Sequence, residues 1–373
     1  MSDEISLRDS MPRPTLRVAT QGAPEAPRYP VIDAHNHLGT MTWGSLGAIS
    51  GDWPKRPVSE LIEVMDEAGV QAIVDLDGGW GDRLRSEIAR YQAPYPDRFL
   101  VFAGVDAANF GSDPGFGETE AHRLRASAAA GARGLKIWKT LGLELRDRRG
   151  HLIGVDDERL DPLWMTAGAL GLPVLIHIAD PVAFFQPLDD HNERYEQLVR
   201  HPDWHFFPTR TSAHPAAPGF PSFLELIEQF ANLLTRHPQT TFIGAHVGCY
   251  AEDLAWVGDM LDACPNFYVD ISARINEIGR APYTAREFFI RYQNRILFGT
   301  DAAPRVDVYR LYYRFLETRD EYFSYSLEES PGAGRWQIYG LGLPDDVIKK
   351  VYAENARRVL GIARTPAEST GAL

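Results

Sequence analysis

From about Tyr29 onward the chain alternates between two patterns of hydrophobic and polar positions. Short runs that are apolar on both faces end in polar or glycine residues, and longer amphipathic segments follow them. The short runs are PVIDAHNH (30–37), AIVDLDG (72–78), FLVFAGVD (99–106), GLKIWK (134–139), PVLIHIAD (173–180), TFIGAHVG (241–248), NFYVDIS (266–272) and RILFGTDA (295–302). Runs that are apolar on both faces belong to parallel strands covered on both sides. Between them lie helical patterns such as VSELIEVMDEAGV (58–70), read with a serine cap at its start and a stop at Gly69. A long terminal helix is expected from about 344 to 360. Eight strands alternating with helices predict the α/β class and a closed (β/α)₈ TIM barrel. An open doubly wound sheet is the alternative, but it usually carries a Gly-rich phosphate loop, and none follows the first run.

Two connections are too long to be turns: about 181–221, after the fifth strand, and about 304–342, after the eighth. Both are rich in aromatic residues, and either could wall a substrate site or pack a subunit interface. Residues 1–29 lack an apolar period and read as an extended N-terminal arm of the kind that packs on a neighbouring subunit of a homo-oligomer. Residues 30–373 then form one barrel domain with a loop insertion after strand 5 and a helical C-terminal extension.

Composition narrows the function class. The chain has 373 residues and a formal net charge of −13, which argues against nucleic-acid and anionic-membrane partners but says nothing positive about the small-molecule substrate expected instead. Its two cysteines cannot form a disulfide framework. No apolar stretch approaches a membrane span, and the acidic MSDEISLRDS start is not a secretory signal. Together these suggest a cytoplasmic protein.

The candidate chemistry sits where the strands end. His35 and His37 are two apart on the first strand and so face the same way, presenting two imidazoles to a borderline cation such as Zn²⁺. His177, His246 and Asp301 close the fifth, sixth and eighth runs, which is the end where barrel enzymes carry their chemistry. So many titratable groups converging on one mouth need something to pair them, and a metal ion supplies that. Lys136 falls at the end of the fourth strand, with Trp138 on the same side as a candidate pocket wall and Lys139 expected to face away. Asp33 is placed beside His35 and could orient a ligand. Arg274 could clamp an anion or pair with Glu277, whereas Arg280 reads as a surface residue. His201 and His237 precede prolines and read as surface histidines. His214 lies in a loop, with no role argued.

The motifs IDAHNHL, GLKIW, LIHIADP, GAHVG and LFGTDAAP, in this order, resemble the amidohydrolase superfamily, most closely amidohydrolase family 2 with its aminocarboxymuconate-semialdehyde-decarboxylase-like enzymes. The likeness runs from about residue 30 to the closing YAENARRVLGI. It implies that His35, His37 and His177 are metal ligands. Asp301 would be both ligand and proton carrier, and His246 a catalytic histidine that polarises the substrate. It implies one divalent ion rather than two, zinc foremost, with manganese or iron as alternatives. Lys136 would be a substrate contact or a carboxylated bridge between metals. The implied activity is hydrolysis of an ester, lactone or amide by metal-activated water. The alternative is non-oxidative decarboxylation of an aromatic or enoic acid on the same metal.

Overall fold

A computed structural model describes residues 15–39, 52–107, 110, 113–207, 219–328 and 332–362; His214 and residues 1–14 of the arm lie outside them. All eight expected strands form: β1 (Val31–Asn36), β2 (Val70–Asp75), β3 (Phe99–Val101), β4 (Leu135–Ile137), β5 (Val174–Ile176), β6 (Phe242–Gly244), β7 (Phe267–Asp270) and β8 (Ile296–Leu297). Every pairing is parallel, in the orders β1-β2-β3 and β4-β5-β6-β7-β8. Backbone hydrogen bonds join the two sheets at both seams. At one, Lys136 N donates to Ala103 O (2.7 Å). At the other, Ala34 N donates to Phe298 O (2.9 Å) and Asp301 N to His35 O (2.9 Å). Alternate strand positions, among them Ile32, Val74, Leu100, Leu175, Ile243 and Leu297, share one small apolar cluster. Residues drawn from all round a ring of strands meet this way when they fill its interior. The opposite positions, such as Ile73, Ile137, Ile176 and Val269, join the larger core with the helices.

The amphipathic segments fold as helices at the expected places, including Val58–Ala68, Phe116–Ala129 and Phe223–Arg236. Val58–Ala68 ends on Gly69 in the left-handed region at φ 72°, but Pro57 precedes it and no side chain caps it. A full capping box forms elsewhere, between Ser222 and Glu225.

One expectation fails plainly. Much of the connection after β8 is a regular helix, Val306–Glu317. Its buried residues Tyr309, Tyr312, Tyr313 and Leu316 follow the i, i+3, i+4, i+7 spacing of an apolar stripe, so it supplies the layer's eighth helix. The described part of the arm docks on its own chain. Asp320 accepts from Thr20 Oγ1 (2.7 Å), Gln21 N (2.6 Å) and Gly22 N (2.9 Å). No helix among the described residues is long and apolar enough to cross a membrane.

Candidate metal centre and cavity

The first strand does not keep the alternation that its sequence suggests. Its register is interrupted between Asp33 and Asn36, so Asp33 and His35 have different surroundings. Asp33 accepts from His35 N (3.2 Å), Thr300 N (3.1 Å), Thr300 Oγ1 (2.7 Å) and Tyr309 OH (3.0 Å). It therefore does not orient an imidazole. Through Thr300, 267 residues further along the chain, it ties β1 to the turn that carries Asp301.

The imidazoles are held by other groups. His35 Nδ1 donates to Asp270 Oδ2 (2.8 Å), His37 Nδ1 to Asp77 Oδ1 (2.7 Å) and His246 Nδ1 to Ser272 O (2.9 Å). Each acceptor fixes the proton on Nδ1 and leaves a lone pair on Nε2. All three lone pairs face one carboxylate: Asp301 lies 3.7 Å from His35 Nε2, 3.4 Å from His37 Nε2 and 3.7 Å from His246 Nε2. Asp301 Oδ1 is buried without a hydrogen bond among the described residues.

Acceptors gathered around a partly buried carboxylate repel one another unless a cation sits among them. Donors each about 2.1 Å from a shared ion lie about 3.4 Å apart at tetrahedral angles. His35, His246 and Asp301 bring ligand atoms within 4.8 Å of one another, and His37 adjoins Asp301. The donor set fits a divalent cation.

His177 departs from this arrangement. It lines the same cavity, with its ring centroid 4.4 Å from that of His246. Its Nε2, however, faces Ala179 O (3.1 Å) and Asp180 Oδ1 (3.5 Å), which leaves Nδ1 as the nitrogen open to a ligand. Burial holds its pKa down at about 4, so the ring is neutral. Burial also holds His246 well below the ordinary histidine value, helped by the Arg274 charge. Burial alone would raise Asp270, but His35 and Ser272 outweigh it and hold the carboxyl at about 2.

The buried β4 lysine does not line the cavity. Lys136 is 0 % exposed, its Nζ has no hydrogen bond among the described residues, and it lies 4.8 Å from the centroid of Trp138. Burial lowers its pKa to about 8, against the pull of Asp301 and Asp270. Lys139, expected to face away, does line the cavity and pairs with Asp180, because β4 stops at Ile137 and the chain turns. Trp138 forms a wall, its ring 4.8 Å from that of His37.

The cavity measures about 300 Å³, at the small end for ligand sites. The connection after β5 contributes Phe184, Arg194 and Trp204 to it, and the one after β8 contributes Ala333. Arg274 is also in the wall. Glu277 pairs with Arg194, not with Arg274. Arg280 pairs with Glu193 (3.0 Å) at the surface, as expected. His237, read as a surface residue, is buried and bonded to Asp161 (2.9 Å).

Asp270, Asp77, Asp180 and Ser272 are site residues that sequence reasoning passed over. Asp270 and Asp77 end apolar runs, which is the same signal that singled out Asp301.

The profile of the amidohydrolase family matches residues 32–362. A comparison with curated proteins finds no match. Among solved structures, the chain is similar to 2,6-dihydroxybenzoate decarboxylase from Rhizobium, at 17% identity, over 90% of this chain and 99% of that one, with a TM-score of 0.55. It is similar to a dihydroxybenzoic acid decarboxylase from Polaromonas sp. JS666, solved with manganese and 2-nitroresorcinol, at 17% identity, over 90% and 98%, with a TM-score of 0.57. A TIM-barrel protein from Bordetella bronchiseptica matches at 17% identity, over 89% and 98%, with a TM-score of 0.54. At these identities the likeness is one of fold, and it agrees with the parallel strands and seams described above. The family match spans nearly the whole barrel, and the chain belongs to amidohydrolase family 2.

Proposed function

We propose that the chain is a metal-dependent decarboxylase of a small aromatic or enoic carboxylic acid. The observation that carries this reading is the cavity itself. Three imidazole lone pairs and an unbonded carboxylate oxygen meet at its floor, while Trp138, Phe184 and Trp204 wall it. Flat apolar walls fit an unsaturated ring or chain, and a tight apolar site favours loss of CO₂ over attack by water. The decarboxylases with the same fold act on dihydroxybenzoates, which are acids of this class.

His35, His37, His246 and Asp301 would hold the cation, with His177 reaching it only through Nδ1. When bound, the ion would supply Lewis acidity toward substrate oxygens and draw electron density from the carbon that loses CO₂. The chain's own residues handle the proton. The carbon–carbon bond breaks, its electron pair stays on the substrate carbon, and that carbon takes a proton as CO₂ leaves. His246 is neutral, with its hydrogen committed to Ser272 O, so it has no proton to give at Nε2. Asp301 is therefore the proton carrier: its carboxylate takes up a proton from solvent, passes it to the vacated carbon and returns to the ionised form. The nitrogen-rich set suits zinc, and the carboxylate also admits manganese.

The test is a panel of hydroxylated benzoic and enoic acids in D₂O with metal-loaded enzyme. The expected result is CO₂ in step with one deuterium at the vacated carbon. Turnover of esters or lactones with no CO₂ from any acid would overturn the reading in favour of hydrolysis.

A further inference from the structure

We infer that the substrate carries a second anionic group, remote from the reacting carboxylate, and that Arg274 binds it. The charges around the cavity lead to this. Lys139 is matched by Asp180, and Arg194 is matched by Glu277. Asp77, Asp270 and Asp301 carry three negative charges, offset by the divalent cation they fit and by the buried ammonium of Lys136. Arg274 is left over. It is 7 % exposed, lines the cavity, and has no carboxylate within ion-pairing distance among the described residues. The one hydrogen bond of its guanidinium among the described residues, from Nη1 to Ala273 O (2.8 Å), leaves most of its donors unused. Arginine is almost never buried without a partner, because a guanidinium out of water needs a counter-charge.

The neighbouring group reinforces the point. Arg194 is 2 % exposed, lines the same cavity, and its Nε is buried without a hydrogen bond. Two guanidiniums therefore share one wall with a single glutamate between them. Arg194 bonds to Gln197 (3.1 Å) as well as Glu277, which fixes it in place. Arg274 begins the short helix Ile275–Ile278 directly after β7, so its backbone is anchored to the barrel. A carboxylate presented here would find a planar fork of donors preset for two parallel hydrogen bonds. A monoanion whose one carboxylate sits at the metal end leaves this charge uncompensated; a dicarboxylate satisfies both ends.

The inference rests on this cavity being the substrate site, but not on the reaction being decarboxylation. The test is calorimetric titration of the zinc-loaded protein with two unreactive probes, benzoate and isophthalate, with phthalate and terephthalate bracketing the spacing. At least one benzenedicarboxylate is expected to bind about tenfold or more tighter than benzoate. Arg274→Met should bring that ligand and benzoate to within about twofold, and Arg274→Lys should keep part of the gap. Arg274→Met also removes an unmatched buried charge, so its melting temperature without ligand should not fall, which separates lost binding from lost folding. Equal affinity for benzoate and all three dicarboxylates would overturn the inference, as would a preference that survives Arg274→Met. Failure of the CO₂ assay alongside a dicarboxylate preference would overturn the reaction and leave the subsite standing.

Discussion

Asp270→Asn is the most direct test of how the metal centre is built. The two oxygens of Asp270 have different duties. Oδ1 accepts from His246 N (3.0 Å), Ser272 N (3.0 Å) and Ser272 Oγ (2.5 Å), while Oδ2 accepts from His35 Nδ1 (2.8 Å). An asparagine has one acceptor. Its carbonyl belongs on the side with three donors, which turns its NH₂ toward His35 Nδ1. Two donors then face each other in a site that is 0 % exposed. The relief open to His35 is the other tautomer, with the hydrogen on Nε2, and that tautomer removes the lone pair aimed at Asp301 and the cation. Loss of such an orienting partner costs about 10- to 100-fold in metal affinity, or about 1.4–2.7 kcal/mol. The assay is competition for Zn²⁺ between metal-free protein and a chromophoric chelator, with circular dichroism to verify folding. A folded Asp270→Asn protein that binds zinc within threefold of the unaltered chain would refute the assignment of His35 Nε2 as a donor.

Three further outcomes follow from the same geometry. Asp301→Asn should abolish turnover by 10²-fold or more while leaving the far-ultraviolet spectrum unchanged, read in single-turnover assays; near-normal rates would remove Asp301 as proton carrier. Metal-free protein should lose stability as pH falls from 6.5 toward 4. His177, held at about 4, and His246, also held well below the ordinary histidine value, stay neutral when folded and take up protons when unfolded, so stability is full above 6.5 and declines below it. The slope is at most about 1.4 kcal/mol per pH unit for each ring, and urea midpoints that stay flat from pH 6.5 to 4.5 would contradict it. Ala273 has φ 50°, where any side chain costs about 1 kcal/mol, so Ala273→Gly should leave the melting temperature level or raise it; a fall of several degrees would show that the methyl group is needed.

Much of this was legible along the chain because the site obeys one rule: a titratable residue that closes an apolar run ends up at the mouth. His177, His246 and Asp301 were found that way, and Asp77 and Asp270 satisfy the same rule. Their pairing with His37 and His35 was not legible, since the partners lie 40 and 235 residues apart and nothing local links them. The break in β1 was hidden for a different reason. Alternation assumes a regular strand, and the interruption after Asp33 depends on hydrogen bonds to Thr300 and Tyr309 that exist only once the ring closes. The helix Val306–Glu317 was missed because its aromatic residues suit a long connection that walls a substrate site or packs a subunit interface, although its rings here form a buried stripe.

Backbone strain was wholly invisible in the sequence, and it says the most about why this mouth differs from the rest of the barrel. His246, Val247, Ala273 and Asp301 all have φ between 50° and 59°. The left-handed region is uncommon for any residue other than glycine, and least common for a β-branched one such as Val247. Each such residue costs on the order of 1 kcal/mol and persists only where surrounding contacts over-determine it. At His246 those contacts are the Asp270 and Ser272 bonds, and at Asp301 the backbone bond to His35. Glycine would relax any of these positions but would bring no imidazole and no carboxylate. The strain therefore marks where the fold gives up stability so that donor atoms from β1, β6 and β8 converge on one point, and removing the cation should leave these turns the least stable part of the barrel's mouth.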